Sequence, residues 1–478
     1  MTDPTALEAA GLARAIRRRE ISCREVMLAY LARIDRLNPR VNAVVTRQDG
    51  DRLVAQADER DAQLGRGPPL GWMHGFPIAI KDLAATAGIR TTLGSPLLRN
   101  VVPVEDSIMV ARLKAAGAIV IGKTNTPEFG LGSQTYNGVF GTTTNAYDAT
   151  RTSGGSSGGA AVAVALRMIP VADGSDMMGS LRNPAAYNNV LGFRPSFGRI
   201  PAGPPAPEVF LQQLSSDGPM ARTVSDLALL FATQAGADAR APLSIREDPA
   251  TLAAPLQRDL AGTRVAWLGD LGGYLPFEPG ILELCRAAVT SLTGIGCIVE
   301  DFVPDFDYAS LWTAWCRLRH WLVAGRLNDL YRVQANRASI KPEALWEIER
   351  GVALSALDVY EASRVRSAWY QTLRTAFETY EYLVLPSAQV FPFDAGTHWP
   401  RHVAGREMDT YHRWMEVVVP ASMAGGPVIS VPVGFNADGL PMGMQIIGRR
   451  YADLAVLQLA YAYEQATQWV AKRPPPQA

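Results

Sequence analysis

The stretch RTSGGSSGGAA, residues 151–161, holds four glycines and three serines and leads directly into the small apolar sequence VAVALRM at 162–168. A phosphate-binding loop of the pattern G-x-x-x-x-G-K-[ST] needs a lysine at the position that Ala160 occupies. The dinucleotide pattern G-x-G-x-x-G is not matched either. A flexible linker would not lead straight into a helix of alanine and valine. The remaining interpretation is a structured turn whose serines take part in chemistry.

Short β-rich runs alternate with helical patterns on both sides of this stretch. GFPIAIKDL, residues 75–83, is predicted to be a buried strand that ends at Lys81 and Asp82. The pattern at 4–36 is helical and is expected to stop at Asn38-Pro39. Further strands are predicted over 118–125, 169–176, 382–388 and 427–435. Further helices are predicted over 50–64, 107–117, 160–168 and most of 277–380. A loop is predicted over 201–208. Strands that alternate with helices predict an α/β fold with a parallel or mixed sheet.

The composition indicates a globular protein without a polyanionic partner. The 478 residues are 48% hydrophobic and 19% charged, which is typical of a chain with a large core. Lysine plus arginine and aspartate plus glutamate number 46 each, so nucleic acid is not expected as a partner. There are four cysteines without a C-x-x-C spacing, no N-terminal apolar segment and no run of about 18 apolar residues. These features predict a reduced, cytoplasmic protein that does not enter a membrane.

Serine chemistry requires a base, and the sequence offers two kinds. The five histidines lie outside any recognisable motif, and no H-x-x-x-H or H-E-x-x-H spacing supports a metal site. A lysine can act as a base when it is buried, because desolvation disfavours the ammonium form. Lys81 closes an apolar strand, which is an unusual place for a charge. Ser180 lies just past the predicted strand at 169–176, and strand ends are where the sites of open α/β sheets collect.

Three segments of the chain together resemble the amidase signature family. They are PIAIKD around Lys81, GGSSGG at 154–159 and SDMMGSLRNPAA at 175–186, in the order and spacing of the family. GAIVIGKTNTPEFG, LGFRPSFGRI and GGPVISVPVGFNADGLPMGMQIIG match in order as well, so the similarity extends from about residue 5 to 470. The resemblance implies an α/β amidase-signature fold, in which helices cover both faces of a central, twisted, mixed β-sheet.

The resemblance also implies a division of the chain. Residues 1–65 are expected to form an N-terminal helical segment packed on the core, and 66–470 the amidase signature domain. A helical insertion in that domain, about 277–380, is expected to cover the substrate, and aromatic residues between 306 and 331 are candidates for that cover. Residues 471–478 are expected to be a flexible tail.

A Ser–Ser–Lys triad without metal or cofactor is implied by the same resemblance. Ser180 matches the nucleophile and Lys81 the base. Ser156 matches the serine that follows a cis peptide bond and carries the proton between them. Ser157 is expected to be a neighbour that forms local hydrogen bonds. The residues expected to fix the surrounding loops are Asp82, Asp176 and Arg182.

The loop before the nucleophile departs from the family, which usually reads Asp-Thr-Gly-Gly-Ser there. Backbone N–H groups of Met177, Met178 and Gly179, with that of the nucleophile, are expected to form an oxyanion hole. Met178 stands where the family has a glycine, so the turn must use backbone angles open to a residue with a Cβ. The two methionine side chains either line an apolar acyl pocket or pack into the core. The substrate-binding residues implied by the family's layout are Gly130, Leu131 and Ser133.

The leading hypothesis for function is an amidohydrolase that cleaves the C–N bond of a small apolar or aryl amide through an acyl-enzyme. Carbamates (urethanes) and esters are also within reach of this chemistry. A second hypothesis is the glutamine-hydrolysing subunit of an amidotransferase, which belongs to the same family and needs partner chains. A third is a catalytically silent binding protein of the same fold. The first hypothesis predicts a monomer or homodimer whose partner is a small-molecule amide.

Overall fold

The computed structural model describes residues 3–203 and 208–476. Its strands are β1 (Val44–Val45), β2 (Pro77–Lys81), β3 (Ile119–Thr124), β4 (Tyr136–Asn137), β5 (Gly141–Thr142), β6 (Ala172–Asp176), β7 (Leu191–Arg194), β8 (Ser216–Ala221), β9 (Arg264–Trp267), β10 (Ile298–Asp301), β11 (Tyr382–Pro386), β12 (His402–Val403), β13 (Arg406–Glu407), β14 (Val428–Phe435) and β15 (Pro441–Gly448). Its helices are α1 (Ala9–Arg17), α2 (Cys23–Val41), α3 (Gly50–Arg66), α4 (Ile108–Ala115), α5 (Gly158–Ala165), α6 (Arg182–Tyr187), α7 (Val224–Gln234), α8 (Ile281–Gly294), α9 (Tyr308–Arg332), α10 (Pro342–Val352), α11 (Ala356–Thr379), α12 (Val419–Ala424), α13 (Asp453–Thr467) and α14 (Trp469–Lys472).

Two sheets carry the architecture, and the mixed α/β fold expected from the sequence is confirmed. The larger sheet has eight strands in the order β10-β9-β11-β15-β14-β7-β8-β6. Its first three strands are parallel neighbours, and the others follow one another antiparallel. The smaller sheet has the order β1-β3-β2. Strand β2 lies beside edge strand β6 of the larger sheet, and the Lys81 N–H donates to Asp173 Oδ1 at 3.1 Å between them.

Helix α5 packs between the two sheets, against β3 on one side and β6 and β8 on the other. Every residue of α5 is buried, and its sequence GGAAVAVA contains no side chain larger than valine. A Cβ atom on Gly159 would lie 2.4 Å from the backbone nitrogen of Asn125, so the chain after β3 leaves no room for one. Because the helix is this slender, the serines before it reach the gap between the ends of β2 and β6.

Most of the predicted elements are confirmed, and the N-terminal helix is the main correction. The pattern at 4–36 is interrupted, because Ser22 and Glu25 form a capping box that starts a new helix, α2, at Cys23. Helix α2 also continues past Asn38-Pro39, where it was expected to stop. A proline in the last helical turn removes only one backbone hydrogen bond, and Asn42 then ends the helix in a left-handed conformation.

The C-terminal parts of the chain also differ in detail from the expectation. The segment 277–380 is mostly helical as predicted, but it includes β10, which forms the other edge of the larger sheet. In the predicted tail at 471–478, α14 extends to Lys472 and the Arg473 carbonyl accepts from Tyr147 Oη at 2.6 Å, so this part is held in place. Residues 477–478 of the tail and 204–207 of the predicted loop lie outside the described residues.

Two further expectations concern the state of the cysteines and membrane-spanning segments. All four cysteines are free, and all but Cys316 are buried. Within 3–203 and 208–476, no helix combines the length and the apolar composition needed to cross a bilayer.

Candidate active site

Lys81 lies buried at the end of β2 and meets the glycine–serine stretch. Its Nζ donates to Ser156 Oγ and Ser157 Oγ, each at 2.8 Å, and to Ser175 Oγ at 3.0 Å. Burial lowers the pKa of Lys81 from 10.5 to about 7, although the charges of nearby aspartates oppose that shift. A lysine with such a pKa is partly neutral near pH 7, which is the property that a general base needs.

The serine turn joins this lysine to the loop after β6. The peptide bond between Gly155 and Ser156 is cis, as the resemblance implies. The Ser157 N–H donates to the Ser180 carbonyl oxygen at 3.1 Å, which brings the two loops together. Ser157 was expected to form only local hydrogen bonds, but its hydroxyl lies as close to Lys81 Nζ as that of Ser156.

Ser180 follows β6 in a turn that Asp176 holds. The Asp176 carboxylate accepts from the N–H groups of Gly179 and Leu181, at 2.8 and 3.1 Å, and from Arg182 Nε and Nη2, at 3.0 and 2.9 Å. Burial raises the pKa of Asp176, but neighbouring guanidinium groups outweigh it and hold this pKa at about 2. Asp176 and Arg182 therefore fix the loop as expected. Ser180 is 7% exposed, and its hydroxyl has no hydrogen-bond partner in the described part of the chain.

Asp82 likewise fixes the chain that follows β2. Its carboxylate accepts from the Thr92 N–H at 3.0 Å and from the Thr92 hydroxyl at 2.5 Å. Burial raises the pKa of Asp82, while these hydrogen bonds oppose the rise. The carboxylate thus serves the loop, in agreement with the role expected from the sequence.

The expected oxyanion hole needs one correction. The Gly179 N–H points to Asp176 Oδ1 and is already satisfied, so it does not face a substrate oxygen. In the described residues, the backbone N–H groups of Met177, Met178 and Ser180 have no hydrogen-bond acceptor. Met178 does not take a positive φ, whereas Gly179 does, at 77°. The turn therefore accommodates methionine at the position of the family's glycine and keeps three N–H groups free.

The two methionine side chains have different surroundings. Met178 is 5% exposed and belongs to the main hydrophobic core. Met177 is half-buried, and its Sδ accepts from Arg319 Nη1 at 3.5 Å. Met177 therefore faces helix α9 and not the interior of the sheet.

The three predicted substrate-binding residues are brought to different places. A Cβ atom on Gly130, whose φ is +72°, would lie 3.6 Å from Ser156 Oγ, so the backbone passes directly over this serine. Ser133 packs against Gly155, where a Cβ atom would be 3.0 Å from the Ser133 carbonyl carbon. The Leu131 side chain instead enters a second core cluster between α9 and α10, because its apolar surface is buried better there.

Comparisons with known proteins identify the group to which this arrangement belongs. A family model described as Amidase matches residues 25–457. The chain belongs to the amidase signature family. A glutamyl-tRNA(Gln) amidotransferase subunit of Thermosynechococcus vestitus is 35% identical, with 97% of this chain and 98% of that one covered. An acylamidase of Rhodococcus erythropolis is 32% identical, with 98% and 97% covered.

A solved structure extends the comparison to the fold. A bacterial aryl acylamidase of the amidase signature family superposes with a TM-score of 0.90 at 30% identity, with 97% of this chain and 98% of that one covered. The protein is therefore an amidase-class hydrolase with the fold of that family. These relatives include both acylamidases and amidotransferase subunits, so the family alone does not name the substrate.

A buried charge cluster lies over the nucleophile loop of this amidase and was missed by the sequence analysis. Arg319 of α9 donates from Nε to Glu347 Oε1 at 2.5 Å and from Nη2 to Tyr411 Oη at 2.7 Å. Tyr411 Oη donates to the same Glu347 oxygen at 2.6 Å, and His320 Nδ1 lies 2.5 Å from Glu347 Oε2. Only Nη1 of Arg319 reaches towards the active-site loop, where it meets Met177 Sδ. The cluster positions one donor of a fixed guanidinium beside the nucleophile loop.

Aromatic rings surround this cluster. Trp346 packs edge-on against Tyr411, with centroids 5.9 Å apart, and Tyr411 stacks on His412 at 4.7 Å. Trp312 lies 5.1 Å from His412. Neither ring nitrogen of His412 has a partner in the described residues, and burial lowers its pKa well below 6.5. The ring is therefore buried in its neutral form.

A signal for this cluster was present in the sequence. The buried positions of α10 are Ala344, Glu347, Ile348 and Gly351. A glutamate in that stripe breaks the apolar pattern, and a charge in such a place is rarely buried without a partner. The partners stand 28 and 64 residues away from Glu347, so their identity was not readable from local spacing.

Proposed function

We propose that this chain is a stand-alone acylamidase that hydrolyses small apolar or aryl amides through an acyl-enzyme on Ser180. The observation that carries the proposal is the contact of buried Lys81 Nζ with Ser156 Oγ at 2.8 Å, in a turn hydrogen-bonded to the Ser180 residue. A lysine with a pKa near 7 supplies the base that a serine nucleophile requires.

The proposed mechanism moves one proton in each direction. Neutral Lys81 accepts the Ser156 proton, Ser156 accepts the Ser180 proton, and Ser180 Oγ forms a bond to the amide carbon. The carbonyl π pair moves onto oxygen, where the free N–H groups of Met177, Met178 and Ser180 are available to it, each worth of order 3 kcal/mol. When the C–N bond breaks, the amine leaves with the proton returned through Ser156. Water then attacks the ester by the same route and releases the acid.

The preference for apolar or aryl substrates is supported by the cover. Trp346, the half-buried ring of this group, packs against Tyr411, which accepts a hydrogen bond from Arg319, and Arg319 in turn meets Met177 of the nucleophile loop. Aromatic surfaces bind flat apolar groups through area burial and ring packing. The aryl acylamidase named above is the relative to which this substrate class corresponds. Anilides are the proposed best substrates, and carbamates and esters follow from the same carbonyl chemistry.

The amidotransferase alternative is supported by the 35% identity to the glutamyl-tRNA(Gln) amidotransferase chain. It predicts that the protein hydrolyses glutamine only with partner chains. Arg319 is paired with Glu347, so this cluster offers no net positive charge for the carboxylate of glutamine. This pairing favours the first candidate. Turnover of an anilide by the purified chain separates the two, because the amidotransferase alternative predicts none.

The test is covalent labelling of the nucleophile followed by a substrate panel. A fluorophosphonate probe is expected to add once to the wild-type chain, as seen in the intact mass, and not to Ser180→Ala. Lys81→Ala and Ser156→Ala are expected to react about 10²–10⁴-fold more slowly. Ser157→Ala is the matched control, since its backbone N–H to Ser180 remains. An adduct on Ser180→Ala, or equal rates for Lys81→Ala and wild type, would overturn the proposal.

The panel consists of 4-nitroacetanilide, a phenyl carbamate, a phenyl ester and glutamine. Turnover of the anilide by the purified chain, with none for glutamine, is the expected result. Labelling of Ser180 without turnover of the anilide, the carbamate or the ester by the purified chain would replace the acylamidase assignment by the amidotransferase one.

A further inference from the structure

Met177 differs from the other methionines of the chain in its exposure. Of the 13 methionines, Met1 lies outside the described residues and Met177 is half-buried. All the others are at most 5% exposed. Because a dissolved oxidant must reach the sulfur with which it reacts, Met177 is expected to be oxidised before any other methionine of the described residues.

The thiols are the other sulfur groups that a mild oxidant attacks, and burial protects them. Cys23, Cys285 and Cys297 are buried, and Cys316 is half-buried. Burial raises the pKa of the Cys316 thiol, so this group stays protonated near neutral pH. The thiolate is the reactive form of cysteine, whereas a thioether reacts without ionising. The half-buried thioether of Met177 is therefore the more reactive of the two accessible sulfur groups.

Met177 also lies at a sensitive point of the active site. It belongs to the loop between β6 and Ser180, and its N–H, which has no acceptor among the described residues, is one of the donors proposed for the substrate oxygen. Its Sδ accepts from Arg319 Nη1 at 3.5 Å, and a thioether is a weak acceptor. Arg319 is 4% exposed, and its Nε and Nη2 are held by Glu347 and Tyr411 at 2.5 and 2.7 Å.

An oxygen atom on this sulfur changes the contact with Arg319. A sulfoxide oxygen is a strong acceptor, so a charge-assisted hydrogen bond to Nη1 replaces the contact with the thioether. The guanidinium is fixed through its other two nitrogens, so the adjustment falls on the Met177 side chain and on the backbone that carries it. The Met177 N–H then loses its aim at the substrate oxygen, and one such donor is worth about 10²–10³ in kcat.

We propose that Met177 is a modification site through which a peroxide lowers the activity of this amidase. The proposal rests on the function assigned above to the Ser180 loop. The Met177 sulfur attacks one peroxide oxygen, an S–O bond forms and the O–O bond breaks. The proton of the transferred oxygen passes to the departing hydroxide, which leaves as water. The sulfur is oxidised by two electrons and the peroxide is reduced, and methionine sulfoxide is a form that reductases return to methionine.

The experiment treats the full chain with hydrogen peroxide and follows mass and activity together. The intact mass counts the oxygen atoms added, and peptide mapping locates them. The rate at which a fluorophosphonate labels Ser180 and the rate of anilide hydrolysis are measured on the same samples. The first oxygen is expected on Met177, and both rates of the singly oxidised protein are expected to fall about tenfold or more.

Four variants separate Met177 from other targets of the peroxide. Met177→Leu is expected to lack the first oxygen and to show the same labelling rate before and after treatment. Met178→Leu, at the buried neighbouring position, and Cys316→Ser are the controls, and both are expected to lose the same fraction of their rate as the wild type. Arg319→Lys keeps a positive charge for Glu347 but lacks Nη1, so its rate is expected to fall by less than about twofold after the same oxidation.

Four results would overturn the modification site. They are a first oxygen on another residue, unchanged rates for wild type oxidised on Met177, an equal loss of rate in Met177→Leu, and a loss in Arg319→Lys as large as in the wild type. An untreated chain that the fluorophosphonate does not label at Ser180 would instead overturn the proposed function and, with it, the effect on activity. The residue that takes up the first oxygen is read from the mass in either case.

Discussion

Replacing Lys81 by methionine is expected to abolish activity and, near neutral pH, to stabilise the fold. Folding lowers the pKa of this lysine from 10.5 to about 7. At about 1.4 kcal/mol per pKa unit, the fold at pH 7 carries a cost of about 4–5 kcal/mol relative to an unfolded chain with an ordinary lysine. Methionine has a similar length and no charge to desolvate, so this cost disappears in the variant.

The loss of hydrogen bonds acts in the opposite direction. Lys81 Nζ is hydrogen-bonded to three hydroxyl groups, at 2.8, 2.8 and 3.0 Å. At about 1 kcal/mol each, their removal costs about 3 kcal/mol. The difference leaves Lys81→Met more stable than the wild type by about 1–2 kcal/mol at pH 7.

The pH dependence of this difference follows from the sign of the shift. The folded-state pKa lies below the unfolded value, so between pH 7 and 10.5 the unfolded chain binds more protons and wild-type stability rises with pH. At pH 9 the cost of the lysine falls to about 2 kcal/mol. Lys81→Met is then expected to be about 1 kcal/mol less stable than the wild type, so the order of the two proteins reverses.

Urea unfolding at pH 7 and pH 9, followed by tryptophan fluorescence, measures both numbers. Lys472→Met, at an exposed position in α14, is the control and is expected to show the same small change at both values of pH. A Lys81→Met protein that is destabilised equally at pH 7 and pH 9 would show that the buried lysine keeps its ordinary pKa. Its assignment as a neutral base would then be refuted.

Three further predictions concern the same centre. The kcat/KM for an anilide is expected to rise with pH through about 7 and then level off, since only neutral Lys81 accepts a proton, and a flat steady-state profile from pH 5 to 9 would contradict this. Asp176→Asn is expected to lower the free energy of unfolding by about 3–5 kcal/mol, because Arg182 stays buried with a weaker partner, and an unchanged urea midpoint would disprove the coupling. Met177→Ala is expected to raise the KM for an anilide about fivefold with kcat little changed, from loss of about 1 kcal/mol of apolar contact, whereas Met178→Leu leaves both constants unchanged.

The catalytic segments were predictable because each has a local signature. Lys81 ends an apolar strand, and the glycines around Ser156 and Ser157 mark a turn that other residues do not fit. Their meeting at 2.8 Å was expected from the triad that the resemblance implies, whereas the strand pattern alone did not bring them together. The sequence placed the strand that ends at Lys81 and the strand that precedes Ser180 but did not show that they belong to two different sheets.

The details that escaped prediction depend on contacts that no sequence motif indicates. The Gly179 N–H was expected to face the substrate, yet the Asp176 carboxylate captures it three residues away. Leu131 was expected at the site from the family's layout, but its side chain packs between α9 and α10. Arg319 and Glu347 lie on separate helices with no motif between them. In each case a side-chain contact decides where the group lies, and the local sequence does not indicate which contact forms.

The surroundings of Lys81 balance two opposite demands on a lysine base. Its burial disfavours the ammonium, whereas the charges of Asp173, Asp217 and Asp176 favour it, and the balance sets the pKa near 7. A fully apolar wall would lower the pKa further and leave an amine too weak to take a serine proton. A wall with more charge would keep the lysine protonated at neutral pH. The carboxylate of Asp217 therefore bears on the strength of the proposed base.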